Sequence, residues 1–167
     1  MSLAPSPKDC FDRWYKVPLL HLRSLPNGDG AFVALAVSCF LYERYAVAYL
    51  KSTNTKANDD AKRSQFASDF AIDDDTAKAY WIVIRNGFLH QGMGLQQDNK
   101  GTDFPSWSVS EQFPRVQLDK GPPSHLRLQP WLICDRVVEL WDNRPDLINA
   151  NESFPWATIK QTVAQTQ

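Results

Sequence analysis

The longest apolar stretch of the chain is the feature that most restricts its fold. Residues 31–51 place apolar side chains on nearly every side of a helical wheel, and the main interruption is the pair Glu43 and Arg44. A helix that is apolar all round needs other elements around it. We therefore expect a central helix in an all-α fold. Glu43 and Arg44 could line a cavity there, but we expect them to form an interhelical salt bridge.

Composition and the N-terminal sequence limit the environments open to the chain. The uncharged part of the stretch, residues 31–42, is shorter than the roughly 20 residues that cross a bilayer, so we expect no membrane partner. The start MSLAPSPKDC lacks the basic and apolar regions of a secretory signal, which predicts a cytoplasmic protein. The formal charge of -1 means that any RNA contact needs a local basic patch.

The remaining chain predicts one domain over residues 1–167. Further helices are expected at about Pro7–Leu22, Asp59–Ile72, from Asp74 onward, and from Pro130 onward. Asp73, Asp74 and Asp75 favour a helix N-terminus, because carboxylates there accept free backbone N–H groups. The segment 92–130 is rich in Gly, Pro, Ser and Asp, and we expect a loop excursion with a small β-hairpin from residues 107–110 and 115–118.

The helix that follows Asp73 ends in WIVIRNGFLHQGMG, residues 81–94. On a regular helix one stripe faces the domain core, and it consists of Ala77, Trp81, Ile84 and Phe88. The opposite side carries a second apolar set, which consists of Ala79, Ile82 and Val83. This side indicates a second buried or pocket-lining face on the same helix.

Three polar residues follow that second face. Asn86 and His90 are four residues apart, so the amide can orient the imidazole. Arg85 points roughly 140° away from His90 on a regular helix. Three routes would bring them together: the arginine curls round, Gly87 loosens the helix, or a second copy supplies the complementary group. The apolar second face favours the second copy.

An arginine and a histidine suit the cleavage of an RNA phosphodiester. Neutral imidazole, with an ordinary pKa of about 6.5, can take the proton of a ribose 2'-OH. Guanidinium can stabilise the charge that develops on the phosphate. This chemistry needs no metal and no cofactor, and we expect neither: Cys10, Cys39 and Cys134 lack metal-ligand spacing and are expected to be reduced.

The sequence RNGFLH in an apolar helix resembles the Arg-Asn-x-x-x-His signature of HEPN domains, with matches at Arg85, Asn86 and His90. The resemblance implies a four- or five-helix up-and-down bundle with the motif facing its copy in a homodimer through the motif-helix face. It also implies a metal-independent endoribonuclease in a toxin or phage-defence role, with RNA as substrate and an antitoxin protein as a further partner. His90 would be the general base or acid, Arg85 the phosphate-stabilising group, and Asn86 the residue that orients His90.

The chain departs from the family pattern in two places. Gly92 stands where some HEPN toxins carry a modifiable tyrosine, and the segment 92–130 is longer than bundle connections usually are. Two alternatives stay open: a catalytically silent HEPN-like module that binds a nucleotide, RNA or protein, and a structural dimer whose motif is a polar helix end.

Overall fold

The long apolar stretch forms α3 (Ala31–Ser52), the longest helix of a mostly helical fold with a small sheet. The computed structural model describes residues 5–92, 94 and 103–150. By length and composition α3 could also cross a membrane. In this fold its side chains pack against α2, α4, α6, α7 and α8, whose bounds follow. The central helix that the sequence predicts is confirmed.

The other helices are shorter than α3, and all of them except the last lie close to the predicted positions. In chain order they are α1 (Pro7–Phe11), α2 (Val17–Arg23), α4 (Asp59–Phe70), α5 (Asp74–Tyr80), α6 (Asn86–Gln91), α7 (Pro130–Asp142) and α8 (Pro145–Asn149). π-helical turns join two of the pairs, at Asp12–Lys16 and at Trp81–Arg85, and Pro26–Gly28 forms a 3₁₀ turn.

Side chains at the helix ends explain several of these bounds. Ser6, Asn58 and Asp73 each accept a backbone N–H at the start of a helix, and Asp73 does so from Thr76 at 2.7 Å. Gly30 allows the close approach of α2 to the start of α3, because a Cβ there would lie 2.1 Å from the carbonyl oxygen of Leu22. The helix starts therefore follow from residues that the sequence displays.

The core lies between α3 and α7. Trp141 is fully buried, and its indole N–H donates to the carbonyl oxygen of Leu41 at 3.1 Å. Phe11 and Tyr45 lie against its ring, with centroids 5.8 and 5.5 Å away. Removing a buried tryptophan of this kind typically costs about 3–5 kcal/mol. These contacts attach the N-terminal helices and α7 to the central helix.

The segment before α7 forms a sheet rather than the single predicted hairpin. Its strands are β1 (Ser106–Val109), β2 (Val116–Asp119) and β3 (His125–Leu128), in the order β1-β3-β2. β2 and β3 pair antiparallel, and β1 pairs with β3 in parallel. The hairpin expected from residues 107–110 and 115–118 is wrong, because β3 lies between the two strands. Residues 93 and 95–102 of the predicted excursion lie outside the described residues.

Candidate functional site

The motif lies on one continuous helix, residues 74–91, which we call the motif helix. α5, the π-helical turn Trp81–Arg85 and α6 follow one another with helical backbone angles at each junction. The helix ends at Gly92, whose φ of 73° favours glycine. A π-helical turn holds an extra residue compared with an α-helical turn. The regular helix assumed from the sequence is therefore wrong at residues 81–85, which include the first motif residue, Arg85, whereas Gly87 lies inside α6.

The two apolar faces of the motif helix are both present. The predicted core stripe is buried, with Ala77, Trp81, Ile84 and Phe88 each at most 5% exposed. On the other side Ala79 and Val83 are buried as well. The prediction of a second buried face is confirmed.

The small sheet lies against this second apolar face. β2 and β3 of the same chain pack against α5. Ile82 and Val83 line a groove of about 330 Å³ together with Phe104 and Leu118 from the sheet segment. The small sheet of the same chain therefore lies on the face for which a second copy was expected, and the expected homodimer stays a prediction.

Arg85 is held by contacts on three sides. Its Nε donates to Oε2 of Glu43 at 3.0 Å, and its Nη2 lies 2.7 Å from Oε1 of the same carboxylate. Its Nη1 donates to Oδ1 of Asn86 at 2.6 Å. The guanidinium carbon lies 4.9 Å from the ring centroid of Trp81, within cation–π distance. The side chain is 11% exposed, so its orientation is closely constrained.

Glu43 also binds a second cation. Lys62 Nζ lies 2.7 Å from Oε1 of Glu43 and 2.7 Å from Oδ1 of Asp59. Burial lowers the pKa of Lys62, but the hydrogen bonds to Asp59 and Glu43 outweigh it and raise the pKa overall. Lys62 thus stays charged next to Arg85. The interhelical salt bridge predicted for Glu43 is confirmed, and its partners on α4 and the motif helix are now identified.

Asn86 and His90 do not form the expected hydrogen-bonded pair. The side-chain oxygen of Asn86 accepts from Arg85, and Asn86 is half-buried. His90 is exposed, and within the described part of the chain no hydrogen bond or ion pair joins its ring to another residue. Arg85 therefore turns towards Asn86, which is part of the first predicted route, but it does not reach the imidazole.

An apolar face of α3 borders the motif helix. Val33 and Phe40 on this face are 48% and 47% exposed, and Val37 between them is half-buried. Phe32 lies at one edge of the face, and its ring centroid is 4.9 Å from that of Phe88. Glu43 comes three residues after Phe40, which makes the two neighbours on the helix surface. We call Val33, Val37 and Phe40 the α3 face.

A groove of about 370 Å³ begins next to Glu43. Arg44, Val47 and Lys51 line it from α3, and Leu147 lines it from α8. Two basic side chains therefore line the groove nearest to the Arg85 cluster.

Both ring nitrogens of His125 have serine partners, in contrast to the exposed ring of His90. Ser106 Oγ lies 2.7 Å from Nδ1 of His125 and Ser108 Oγ lies 2.7 Å from Nε2 of the same ring. Both serines are on β1, beside β3, on the sheet side opposite the buried Leu126. No short-range sequence signal shows this arrangement, since it depends on the parallel pairing of strands that are 19 residues apart in register.

The three cysteines are buried, and their thiols are free. Burial raises the pKa of the Cys39 thiol to about 12, and burial also raises the pKa of Cys134. Thiols of this kind are poor nucleophiles because little thiolate is present near neutral pH. Over the described ranges, no three His, Cys, Asp or Glu side chains come together as a metal site.

Lys62 belongs to the site but is indicated neither by the motif nor by the salt bridge expected at Glu43. In the sequence Lys62 stands among other polar residues of α4, and only the packing of α4 on α3 brings it to Glu43.

The comparisons with known proteins identify no relative: no protein-family model, no curated protein and no solved structure matches this chain.

Proposed function

We propose that this chain is a metal-independent endoribonuclease of the HEPN type with a toxin or phage-defence role in the cytoplasm. The observation that carries the proposal is the fixed guanidinium of Arg85 on the same short helical segment as an exposed His90. On this proposal the helices form the up-and-down bundle of that family, and RNA is the substrate. An antitoxin protein would be a further partner.

The proposed reaction uses the ribose of the RNA as the nucleophile. His90 takes the proton from the 2'-OH, the 2'-oxygen attacks the phosphorus, and the bond to the 5'-oxygen breaks. The leaving 5'-oxygen takes a proton from water, His90 later returns its proton to the solvent, and the products are a 2',3'-cyclic phosphate and a 5'-hydroxyl. Arg85 stabilises the negative charge on the phosphoryl oxygens through the N–H groups that Glu43 and Asn86 leave available.

A homodimer through the α3 face would complete the site. Val33 and Phe40 expose apolar surface next to the motif helix, and burying such surface stabilises an interface by roughly 25 cal/mol per Å². Since Arg85 and His90 of one chain do not meet, the partner subunit would bring a second motif helix to the same cleft. On this proposal the interface includes α3 beside the motif helix rather than the Ala79 side.

The groove at Glu43 offers a path for the RNA backbone. Arg44 and Lys51 line it, and basic side chains attract phosphates through a salt-dependent interaction. The near-neutral charge of the whole chain makes such a local concentration of cations necessary. We therefore expect RNA binding to weaken as salt concentration rises.

The test is cleavage of RNA in EDTA by the purified protein, with detection of the 2',3'-cyclic phosphate end. We expect cleavage by the wild-type protein and a loss of about 10²-fold or more in His90→Ala and in Arg85→Ala, because both groups act on the reacting atoms. His21→Ala is the matched control, since His21 is exposed on α2. Equal cleavage by His90→Ala and the wild type would show that the assignment is wrong.

A second candidate is a catalytically silent HEPN-like module that binds RNA, a nucleotide or a protein. It is favoured by the engagement of Nε, Nη1 and Nη2 of Arg85 with Glu43 and Asn86, which leaves few donors for a phosphate. RNA binding without cleavage, unchanged by His90→Ala, would support it. Loss of folding or dimer formation alone in the Arg85 variants would instead favour a structural role.

A further inference from the structure

Glu43 and Arg85 form a two-point contact. Nε and Nη2 of the guanidinium bind the two oxygens of one carboxylate, which fixes the plane of the guanidinium as well as its position. Trp81 lies under the same group, and Asn86 binds the third nitrogen. The unoccupied N–H bonds of Arg85 therefore have a direction that is set before any ligand arrives.

The charge of Glu43 is shared between two cations. Arg85 Nη2 and Lys62 Nζ each lie 2.7 Å from the same oxygen, Glu43 Oε1. Two positive groups and one negative group leave this part of the cluster with one positive charge. Asp59 lies 2.7 Å from Lys62 and makes the four side chains formally neutral, but it is 67% exposed, so solvent weakens its share of the field at Arg85. Glu43 thus orients Arg85 without cancelling the attraction of the cluster for an anion.

Stability alone is a weak explanation for this arrangement. The side chains of Arg85 and Lys62 are 11% and 9% exposed, so both charges have lost most of their hydration. Burying an ion pair often gives no net gain over apolar residues of similar volume. Apolar residues at 43, 62 and 85 together would suit the surroundings of α3, which is apolar on most sides. A carboxylate at this position therefore indicates a task at Arg85.

We propose that Glu43 is a positioning residue for RNA cleavage, which fixes the guanidinium of Arg85 while Lys62 balances the carboxylate charge. This inference rests on the proposed ribonuclease function. Glu43 does not touch the phosphate, and its effect passes through Arg85. A misplacement of a catalytic group by about 1 Å can cost 10²-fold in rate, so the effect falls mainly on kcat.

The experiment measures kcat and KM for RNA cleavage by Glu43→Gln. We expect kcat to fall roughly 10- to 100-fold and KM to change by less than about 3-fold. The reason is that a neutral amide cannot accept from both Nε and Nη2 of Arg85, as the carboxylate does. Asp69→Asn is the matched control: Asp69 is a half-buried carboxylate that accepts from Tyr42 and Gln65 instead. Its kcat should stay close to that of the wild type.

A second pair of variants separates positioning from general damage. In an Arg85→Lys background, which lacks the planar guanidinium that Glu43 orients, Glu43→Gln should lower kcat by much less than it does in the wild type. If Glu43→Gln does not fold, as judged by circular dichroism, Glu43→Asp is used, which keeps the charge but withdraws the carboxylate by one methylene. We expect it also to lower kcat.

The outcomes distinguish this inference from the function on which it rests. An active wild-type enzyme, an inactive His90→Ala variant and a folded Glu43→Gln variant with wild-type kcat would overturn the positioning role alone. An equal loss in the wild-type and Arg85→Lys backgrounds would overturn it as well. Wild-type protein that does not cleave RNA in the same assay would overturn both proposals together.

Discussion

Arg85 and His90 lie five residues apart on one helix, but their surroundings are opposite. Arg85 is 11% exposed and is bound by Glu43 and Asn86. His90 is exposed, and its ring has no hydrogen-bond partner among the residues described. The chain therefore fixes one member of the proposed catalytic pair by itself and leaves the other open to solvent.

The difference follows from the positions of the two residues along the motif helix. Arg85 ends the π-helical turn Trp81–Arg85, where the helix packs against α3 and α4, so a carboxylate on α3 can reach it. His90 lies in the last turn before Gly92, where the helix ends. On the proposed function, the fixed Arg85 and the exposed His90 form one site only when a substrate or a second copy comes between them. The predictions below test that dependence.

The largest expected effect is on assembly. Phe40→Glu places a charge on the α3 face, where Phe40 is 47% exposed. Because a buried, unpaired charge opposes association, we expect the dimer to become a monomer and RNA cleavage to fall with it. Size-exclusion chromatography with light scattering gives the mass, and the cleavage assay gives the activity of the same sample.

Leu20→Glu is the control for this change. Leu20 is 61% exposed on α2, away from the α3 face, so the same apolar-to-acidic change there should leave mass and activity unaltered. A wild-type protein that is monomeric at the assay concentration and still cleaves RNA would refute the need for a second copy. The Arg85 and His90 of one chain would then have to serve one phosphate together.

A smaller effect is expected on the free energy of unfolding, which we compare between variants of Arg85 and of His90. Arg85→Ala leaves Glu43 with Lys62 alone and removes the group that covers Trp81, so we expect a loss of about 2–4 kcal/mol in the free energy of unfolding. His90→Ala removes no hydrogen bond or ion pair with a described residue and should change the free energy of unfolding by about 0.5 kcal/mol or less. Urea denaturation of both variants measures the difference.

Equal losses in the two variants would contradict the contrast between the fixed and the open residue. Arg85→Lys sharpens the test, because lysine keeps the charge but cannot bind both oxygens of Glu43 at once. Its loss should lie between those of the other two variants. If Arg85→Lys is as stable as the wild type, the two-point contact contributes nothing beyond charge.

Much of the fold could be predicted because its signals are local. The apolar surface of residues 31–51 indicates the central helix, and Asp73 and Pro130 indicate where α5 and α7 begin. The strand order could not be predicted in the same way. β3 reads HLRL, and only long-range pairing shows that it lies between β1 and β2.

The site was predictable in its residue types but not in its contacts. The Arg-Asn-x-x-x-His spacing identifies Arg85, Asn86 and His90 as candidates, and Glu43 was expected in a salt bridge. Asn86 and His90 lie four residues apart in α6 as expected, but the amide oxygen of Asn86 accepts from the neighbouring Arg85, which the spacing alone does not show. Lys62 joins the cluster through tertiary packing, which helical periodicity does not reveal.

The smallest expected effect lies at the outer edge of the cluster, at Asp59. A hydrogen bond from Lys62 lowers the pKa of Asp59 below its ordinary value of 3.8. A lowered carboxyl pKa stabilises the fold above the unfolded-state value, and that contribution is lost as the pH falls through the folded-state pKa. Because the Asp59 side chain is 67% exposed, solvent reduces the effect. We expect Asp59→Asn to cost about 0.5 kcal/mol or less at pH 7 and nothing in strong acid.

Urea denaturation of the wild type and Asp59→Asn between pH 7 and pH 2 measures this contribution. The two stabilities should converge as the carboxyl becomes protonated, and RNA cleavage at pH 7 should be unchanged. Because Glu43 also holds Lys62, at 2.7 Å, the loss of Asp59 leaves the inner contact to Arg85 in place. A large loss of cleavage in Asp59→Asn would mean that the orientation of Arg85 depends on the whole chain of charges. The orientation of Arg85 would then depend on Asp59 as well as on Glu43, although Asp59 does not contact it directly.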